Sequence, residues 1–202
     1  EPFGDASALP MNLLARETKK SVTVALSGDG GDELFIGYDR YFKTQNFLKL
    51  FSKIPLPLRK FSSLLFNISN IDKIEKLSYA VKHLHVLNAY SILFTHIKPW
   101  ELKNIFNFEF LENSLNKQNF DLEYLLGFHL NSMSNFKKFR QIDLNSYLCD
   151  DILTKVDRMT MKHSLEARVP ILDHRIIEFA NSIPTKIHLK YGSKSILKTI
   201  LN

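Results

Sequence analysis

Two rhythms of apolar and polar residues run along this chain. Thr23 to Leu26 is a short β-branched and apolar run, the pattern of a buried strand. Before it, the segment from Pro10 to Thr18 places a proline where a first helical turn tolerates one, and its apolar residues favour one side. After it, Leu34-Phe35-Ile36-Gly37-Tyr38 continues into Arg40-Tyr41-Phe42 and predicts a helix or helical turn. Helix, strand and helix in succession make an α/β alternation. From Ile54 the rhythm changes. Pro55 and Pro57 mark a break, and Leu58 to about Phe120 keeps a helical period with few glycines. Leu84-His85-Val86-Leu87 and Ile92-Leu93-Phe94 read as packed helical faces, Pro99-Trp100 as the next break, and Asn113 to Asn119 as a loop.

The last third is helical again. Ile152, Val156, Met159 and His163 recur at helical intervals, with Asp150 or Asp151 able to cap the start. That leaves Lys155, Asp157, Arg158 and Lys162 on other faces, which by pattern alone is a solvated charged side. Ser164 to Pro170 reads as a tight linker in which Glu166 and Arg168 form a structural ion pair or meet a ligand. Asp173 is a predicted N-cap for Ile176, Ile177, Ala180 and Ile183, and Pro184 ends that helix. Tyr191-Gly192-Ser193 is a turn before a final helical pattern over Ser195–Leu201. Lys194 stands at its first turn, where a cation is unfavourable by about a few tenths of a kcal/mol. An anionic ligand nearby would account for it; a solvated lysine is the plainer reading. No further strand is predicted.

Composition narrows the class without naming a chemistry. A chain of 202 residues supports one domain or at most two. Its 45% hydrophobic and 24% charged content is ordinary for a soluble globular protein. The net charge of +6 comes without a block of like charges, so no nucleic-acid arm is expected, and small anions are as good a target as a surface. Cys149 is the sole cysteine, which excludes an internal disulfide and fits a reducing, cytoplasmic setting. It is expected to be a buried or part-buried small residue and not a nucleophile. No apolar run reaches the roughly 18 residues of a membrane span, and no signal peptide is visible. The histidines His83, His85, His96, His129, His163, His174 and His188 are scattered without a ligand spacing, so structural or surface roles are expected. Glu1 to Asp5 reads as the middle of a loop and the final helical pattern stops abruptly. Both ends read as cut from a longer chain.

The candidate chemistry lies directly after the strand. Ser27-Gly28-Asp29-Gly30-Gly31-Asp32-Glu33 packs a serine, three glycines and three acids into one turn. Strand, glycine-rich turn and helix is the usual geometry of a ligand crevice at the carboxyl end of a parallel sheet. Backbone N–H groups there can point at an anion that glycine lets approach closely. Carboxylates beside a phosphate would repel it unless a cation intervenes, and hard oxygen ligands suggest Mg²⁺. The alternative is an acidic surface turn that caps a helix, with Asp32 or Asp29 as N-cap.

Four blocks in order resemble one family. Leu26-Ser27-Gly28-Asp29-Gly30-Gly31-Asp32-Glu33-Leu34-Phe35-Ile36-Gly37-Tyr38 resembles the second signature of the synthetase domain of glutamine-hydrolysing asparagine synthetases. Asp151-Ile152-Leu153-Thr154-Lys155-Val156-Asp157-Arg158-Met159, running on through Ser164 to Asp173, is similar to a later block of the same domain. Glu1-Pro2-Phe3-Gly4-Asp5-Ala6-Ser7-Ala8 and Gly192-Ser193-Lys194-Ser195-Ile196-Leu197-Lys198 fit as well; Ile54 to Ser146 matches weakly. The resemblance implies an α/β, predominantly helical ATP-pyrophosphatase (adenine nucleotide alpha hydrolase-like) domain with a parallel sheet. It divides the chain into a nucleotide-binding αβα part (1–53), a helical middle (54–146) and a helical C-terminal part of the active site (147–202).

The chemistry that the resemblance implies is adenylation of a carboxylate, most simply the aspartate side chain. Pyrophosphate leaves, and ammonia from glutamine displaces AMP to give asparagine. A carboxylate is a poor acyl electrophile until one oxygen becomes a good leaving group, and Mg²⁺ must offset the triphosphate charge. Carried over by resemblance, Ser27, Gly28 and Gly30 contact ATP, chiefly through the loop backbone, and Lys155 lies in the same ATP-binding crevice. Asp32 is a Mg²⁺ ligand. Asp29 helps ammonia attack and proton transfer, and Lys194 stabilises charge on the reacting acyl-adenylate. Asp151 and Arg158 follow as second-tier candidates. The implied partners are small molecules and an upstream glutaminase domain, with neither nucleic acid nor membrane; a homodimer stays open.

This chain also departs from the family. Well-known members carry Glu at the position of Asp29, a difference in reach of roughly 1.3 to 1.5 Å. Ile36 replaces a usual glycine. The family's Ser-Gly-Gly-x-Asp-Ser pyrophosphate loop and the glutaminase domain with its leading cysteine would precede Glu1, so these residues alone are expected to be catalytically incomplete. Two alternatives remain: an amidotransferase or lactam-forming relative with another acceptor carboxylate, or a non-catalytic remnant that binds a partner.

Overall fold

The computed structural model describes residues 4–59, 72–82, 84–94, 101, 105–107 and 133–201. His83, His96, His129, Pro99-Trp100, the Asn113–Asn119 stretch and much of the helical middle lie outside the described residues. The chain divides into two compact units, residues 1–38 with 140–202, and residues 39–139.

The first unit begins with α1 (Ala8–Lys19), in whose first turn Pro10 sits as the pattern predicts. β1 (Val24–Leu26) follows and pairs in parallel with β2 (Glu166–Arg168), in the register Val24 to Glu166, Ala25 to Ala167 and Leu26 to Arg168. β2 corrects the reading of Ser164–Pro170 as a linker. Its Glu-Ala-Arg sequence carries no apolar signal and becomes a strand because β1 offers it a ladder of partners. Within β2, Glu166 and Arg168 form an exposed ion pair at 2.6 Å. β1 is not the buried strand expected, since Leu26 is 74% exposed. Among the described residues β1 has one pairing partner, and no layer covers that side chain.

After β1 come α2 (Gly31–Leu34) and an irregular stretch over Phe35–Tyr38. Ile36 adopts φ 55, the left-handed region in which a β-branched residue is strained. That single conformation breaks the predicted helix at Phe35. Later in the same unit a π-helical turn over Tyr147–Leu153 runs into α7 (Thr154–Met161). The helix therefore starts before Asp150 and Asp151, which lie inside the π turn instead of capping it. A 3₁₀ turn (Pro170–Leu172) leads to α8 (His174–Ser182), whose N-cap is Asp173, accepting from Arg175 N–H at 2.9 Å. α9 (Thr185–His188) and α10 (Ser195–Leu201) complete the unit.

Leu34, Phe35 and Ala180 form the centre of its core, with Leu144, Leu172, Ile176 and Leu197 packed around them. Burying each of the larger side chains contributes roughly 1.5–3 kcal/mol. Arg140, 3% exposed, donates to the carbonyls of Leu34 (3.2 Å) and Ala180 (3.1 Å) and to Asn181 Oδ1. One buried cation thus takes up carbonyls at the ends of α2 and α8, which offsets its own desolvation.

The second unit holds α3 (Asp39–Phe51), α4 (Asp72–Lys82), α5 (Val86–Phe94) and the first turn of α6 (Asn135–Asn145), within which the unit boundary falls. Leu87 and Ile92 are buried on α5, as their helical spacing predicts. Tyr90 stacks on Phe139 with ring centroids 4.7 Å apart, and Tyr41 packs against both. No helix among the described residues is long and apolar enough to cross a membrane.

Candidate functional site

The loop after β1 is tethered at its first residue. Ser27 N–H donates to the Arg168 carbonyl at 2.8 Å, adding one rung to the β1–β2 ladder. That donor is therefore spent inside the sheet, and a contact from Ser27 to an anion would have to use other atoms. Its hydroxyl donates to Asp29 Oδ2. Gly28 faces open space, with no atom within 4 Å of where a Cβ would lie, so a ligand could approach its backbone closely. Gly30 is a glycine for a different reason. It caps α2 at φ 84, and a Cβ there would come within 2.3 Å of Leu172 Cδ2.

The three acids of the loop go three ways. Asp29 is held by Ser27, and Asp32 pairs with Lys194 at 2.9 Å. Glu33 turns inward, is 1% exposed and accepts from the Tyr38 hydroxyl. Burial pushes its carboxyl above the ordinary range. Glu33 is thus a core residue and not a third ligand of the turn. The acidic-cap alternative also fails, because the N-cap of α2 is Gly30 and no side chain caps it.

Among the described residues no group of three or more His, Cys, Asp or Glu side chains is placed to hold a metal. Mg²⁺ does not require one, since it binds through one or two carboxylates together with phosphate oxygens and water. Asp32 fits such a role. Its side chain is 30% exposed, and its partner is an ammonium that is itself 43% exposed and can be displaced.

Lys155 reaches across from α7 to the segment ahead of α1. Its ammonium donates to Asp5 Oδ2 at 2.6 Å and to Ser7 Oγ at 2.8 Å. The Lys155 hydrogen bond, with that of Ser7, lowers the Asp5 carboxyl to about 2. Ser7, Met11, Leu14, Asp29 and Lys155 line a cleft of about 370 Å³, so the structure brings Asp29 and Lys155 to one place. Asp151 in the π turn and Arg158 on α7 are both half-buried, and neither lines that cleft. Single π turns recur at functional sites, which keeps Asp151 of interest.

Cys149 is exposed, contrary to expectation, because the π turn carries it to the surface. Partial desolvation and the neighbouring Asp150 push its thiol up, which disfavours the thiolate a nucleophile needs. His85 is exposed, His163 lies 2.9 Å from Asn12 Oδ1, His174 is exposed beside Asp173, and His188 is buried next to the Ala180 carbonyl. Sequence reasoning assigned no role to Asp5, Ser7 or Gly37. The first two stand in the opening block, and that position was the available signal.

A family profile described as Asparagine synthase matches residues 1–202. The protein of Bacillus subtilis (strain 168) named "Asparagine synthetase (glutamine-hydrolyzing) 1" is 33% identical over 207 residues, covering 98% of this chain and 30% of the relative. A Mycobacterium tuberculosis protein named "Putative asparagine synthetase (glutamine-hydrolyzing)" is 29% identical over 211 residues, covering 100% of this chain and 31% of the relative. One of Methanocaldococcus jannaschii, named "Putative asparagine synthetase (glutamine-hydrolyzing) 2", is 33% identical over 169 residues, 80% of this chain and 30% of its own length. The chain thus spans about three tenths of the length of the curated relatives it matches. No solved structure matches it.

Proposed function

The chain belongs to the asparagine synthase family, and from that premise we propose that it supplies one wall of an ATP–Mg²⁺ site that makes an amide from a carboxylate. The whole protein adenylates the aspartate side chain, releases pyrophosphate and lets ammonia from glutamine displace AMP. The domain is of the ATP-pyrophosphatase type, with the β1 loop at the carboxyl end of its parallel sheet.

The observation that carries this reading is the 2.9 Å pairing of Asp32 with Lys194. It joins the glycine loop to the block before α10, two segments that core packing of Leu197 against Leu34 and Phe35 brings together and that meet there through opposite charges. Adenylation needs both charges at one point: a carboxylate to hold a cation against the triphosphate, and a cation to meet the charge that develops on the reacting acyl phosphate. In this reading Asp32 holds Mg²⁺, which supplies neutralisation of the triphosphate when bound. Gly28 lets ATP approach the loop backbone, with Gly30 setting the loop's turn. Asp29, oriented by the Ser27 hydroxyl, accepts the proton that attacking ammonia must lose. Lys155 stands beside Asp29 in the cleft, with Asp151 and Arg158 as further candidates for the nucleotide.

The test is pyrophosphate release by the full-length protein supplied with ATP, Mg²⁺, aspartate and glutamine. Release is expected to depend on aspartate and to vanish in Asp32→Asn. Release that depends on another carboxylate moves the protein to a sister amidotransferase or lactam-forming activity. No release with any carboxylate points to a non-catalytic remnant.

A further inference from the structure

Gly37 stands among the candidate residues without a role, and its backbone does not explain it. The left-handed residue in this stretch is its neighbour Ile36, at φ 55, and Gly37 is not among the positive-φ glycines. Its N–H donates to the Asp32 carbonyl at 2.8 Å, which any residue but proline could do. Space is what requires a glycine. A Cβ on Gly37 would lie 1.8 Å from Asp32 Oδ1, 2.7 Å from Asp32 Cγ and 2.7 Å from Lys194 Cε. Each distance is far inside van der Waals contact, and all three belong to the Asp32–Lys194 pair. The pair therefore lies directly on the bare face of Gly37.

We propose that Gly37 is a positioning residue: the missing side chain forms the seat in which the Asp32 carboxylate and the Lys194 ammonium meet. Two features of the backbone bring the pair to this point. Lys194 is itself in the left-handed region, at φ 54, immediately before α10. Asp32 stands in the first turn of α2, so its carboxylate can leave the face of Gly37 only by turning about its own side-chain bonds. A methyl group at residue 37 would displace the carboxylate from the ammonium and leave both more exposed. The inference rests on the proposed function only for the use made of the pair, namely holding metal and acyl phosphate at one point.

The test uses the full-length protein without nucleotide. Limiting acetic anhydride labels the lysines, and peptide mass spectrometry reads the rate at each one. Lys194 is expected to react about 2- to 5-fold faster in Asp32→Asn than in the wild type, the range an exposed ion pair supports. Gly37→Ala gives the same increase at Lys194, while Lys155, held by Asp5, keeps its rate. In Asp32→Asn/Gly37→Ala, Lys194 reacts no faster than in Asp32→Asn alone, because both substitutions act on one contact. An unchanged Lys194 in Gly37→Ala, or a Lys155 that rises with it, overturns the inference. Should Gly37→Ala fail to fold, Asp32→Ala/Gly37→Ala decides the matter. With the carboxylate that the new Cβ would strike removed, the thermal transition matches that of Asp32→Ala alone, and a further loss relative to Asp32→Ala overturns the seat. Since no nucleotide is present, these results and those of the pyrophosphate assay fail independently.

Discussion

Asp5 and Lys155, 150 positions apart, meet at 2.6 Å with side chains only 18% and 14% exposed. The contact pins the segment before α1 onto α7. The folded carboxyl, at about 2, lies below its ordinary 3.8. A depressed carboxylate contributes stability that is full above the unfolded value and is lost as pH falls from about 4 through about 2. Asp5→Asn is therefore expected to lose on the order of 1–2 kcal/mol at pH 7 and to flatten the acid limb below pH 4. Urea unfolding at pH 7 and pH 2 checks this; an equal loss at both values would sink the ion-pair account.

Ile36 carries an inverted preference. At an ordinary buried site glycine is worse than alanine by roughly 0.5–1 kcal/mol, but at φ 55 the Cβ of alanine is strained while glycine is at ease. Both substitutions lose the nearly complete burial of the isoleucine side chain, at about 2–5 kcal/mol. Ile36→Gly is nevertheless expected to be more stable than Ile36→Ala, by about 1 kcal/mol. Denaturant midpoints of the two variants decide it, and the reverse order would show that the left-handed conformation is absent in solution.

Glu33 should make the protein less stable as pH rises. Burial raises its folded carboxyl above the ordinary 4.5. The folded state thus holds a proton that the unfolded chain releases, and stability falls from about pH 4.5 up to the folded value. Glu33→Gln keeps a neutral side chain beside the Tyr38 hydroxyl and removes that fall. The expected gain over wild type is absent near pH 4 and appears by pH 8. Thermal melts across this range measure it; parallel curves for the two proteins would contradict the burial argument.

Asp29 and Ser27 should separate the two half-reactions. In the full-length protein, Asp29→Asn is expected to keep more pyrophosphate release than amide formation, with the latter reduced by about 10²-fold or more. Ser27→Ala removes the hydroxyl that orients Asp29 and should show the same imbalance more weakly. Parallel assays of pyrophosphate and amide provide the comparison. Equal loss of both products in Asp29→Asn would remove its assigned role in ammonia attack.

Determinants that act over a few residues were legible in the chain itself. The β1 run, the glycine-acid turn after it, the Asp173 cap of α8, the apolar face of α5 and the final helix all follow from neighbours within about one or two turns. The family resemblance rests on the same kind of local pattern, and the family profile matches the whole chain. Tertiary structure decided everything that required a distant partner. Glu166-Ala167-Arg168 is a strand because the edge of β1 accepts it, and nothing in those three side chains demands it. The acids of the loop are chemically equivalent in sequence. Only the packing sends Glu33 into the core, gives Asp32 to Lys194 and leaves Asp29 to Ser27. Gly37 shows the same division most plainly. A sequence can mark a glycine, but whether it serves a turn or an empty space depends on what lies over it, and here that is an ion pair assembled from the two ends of the chain.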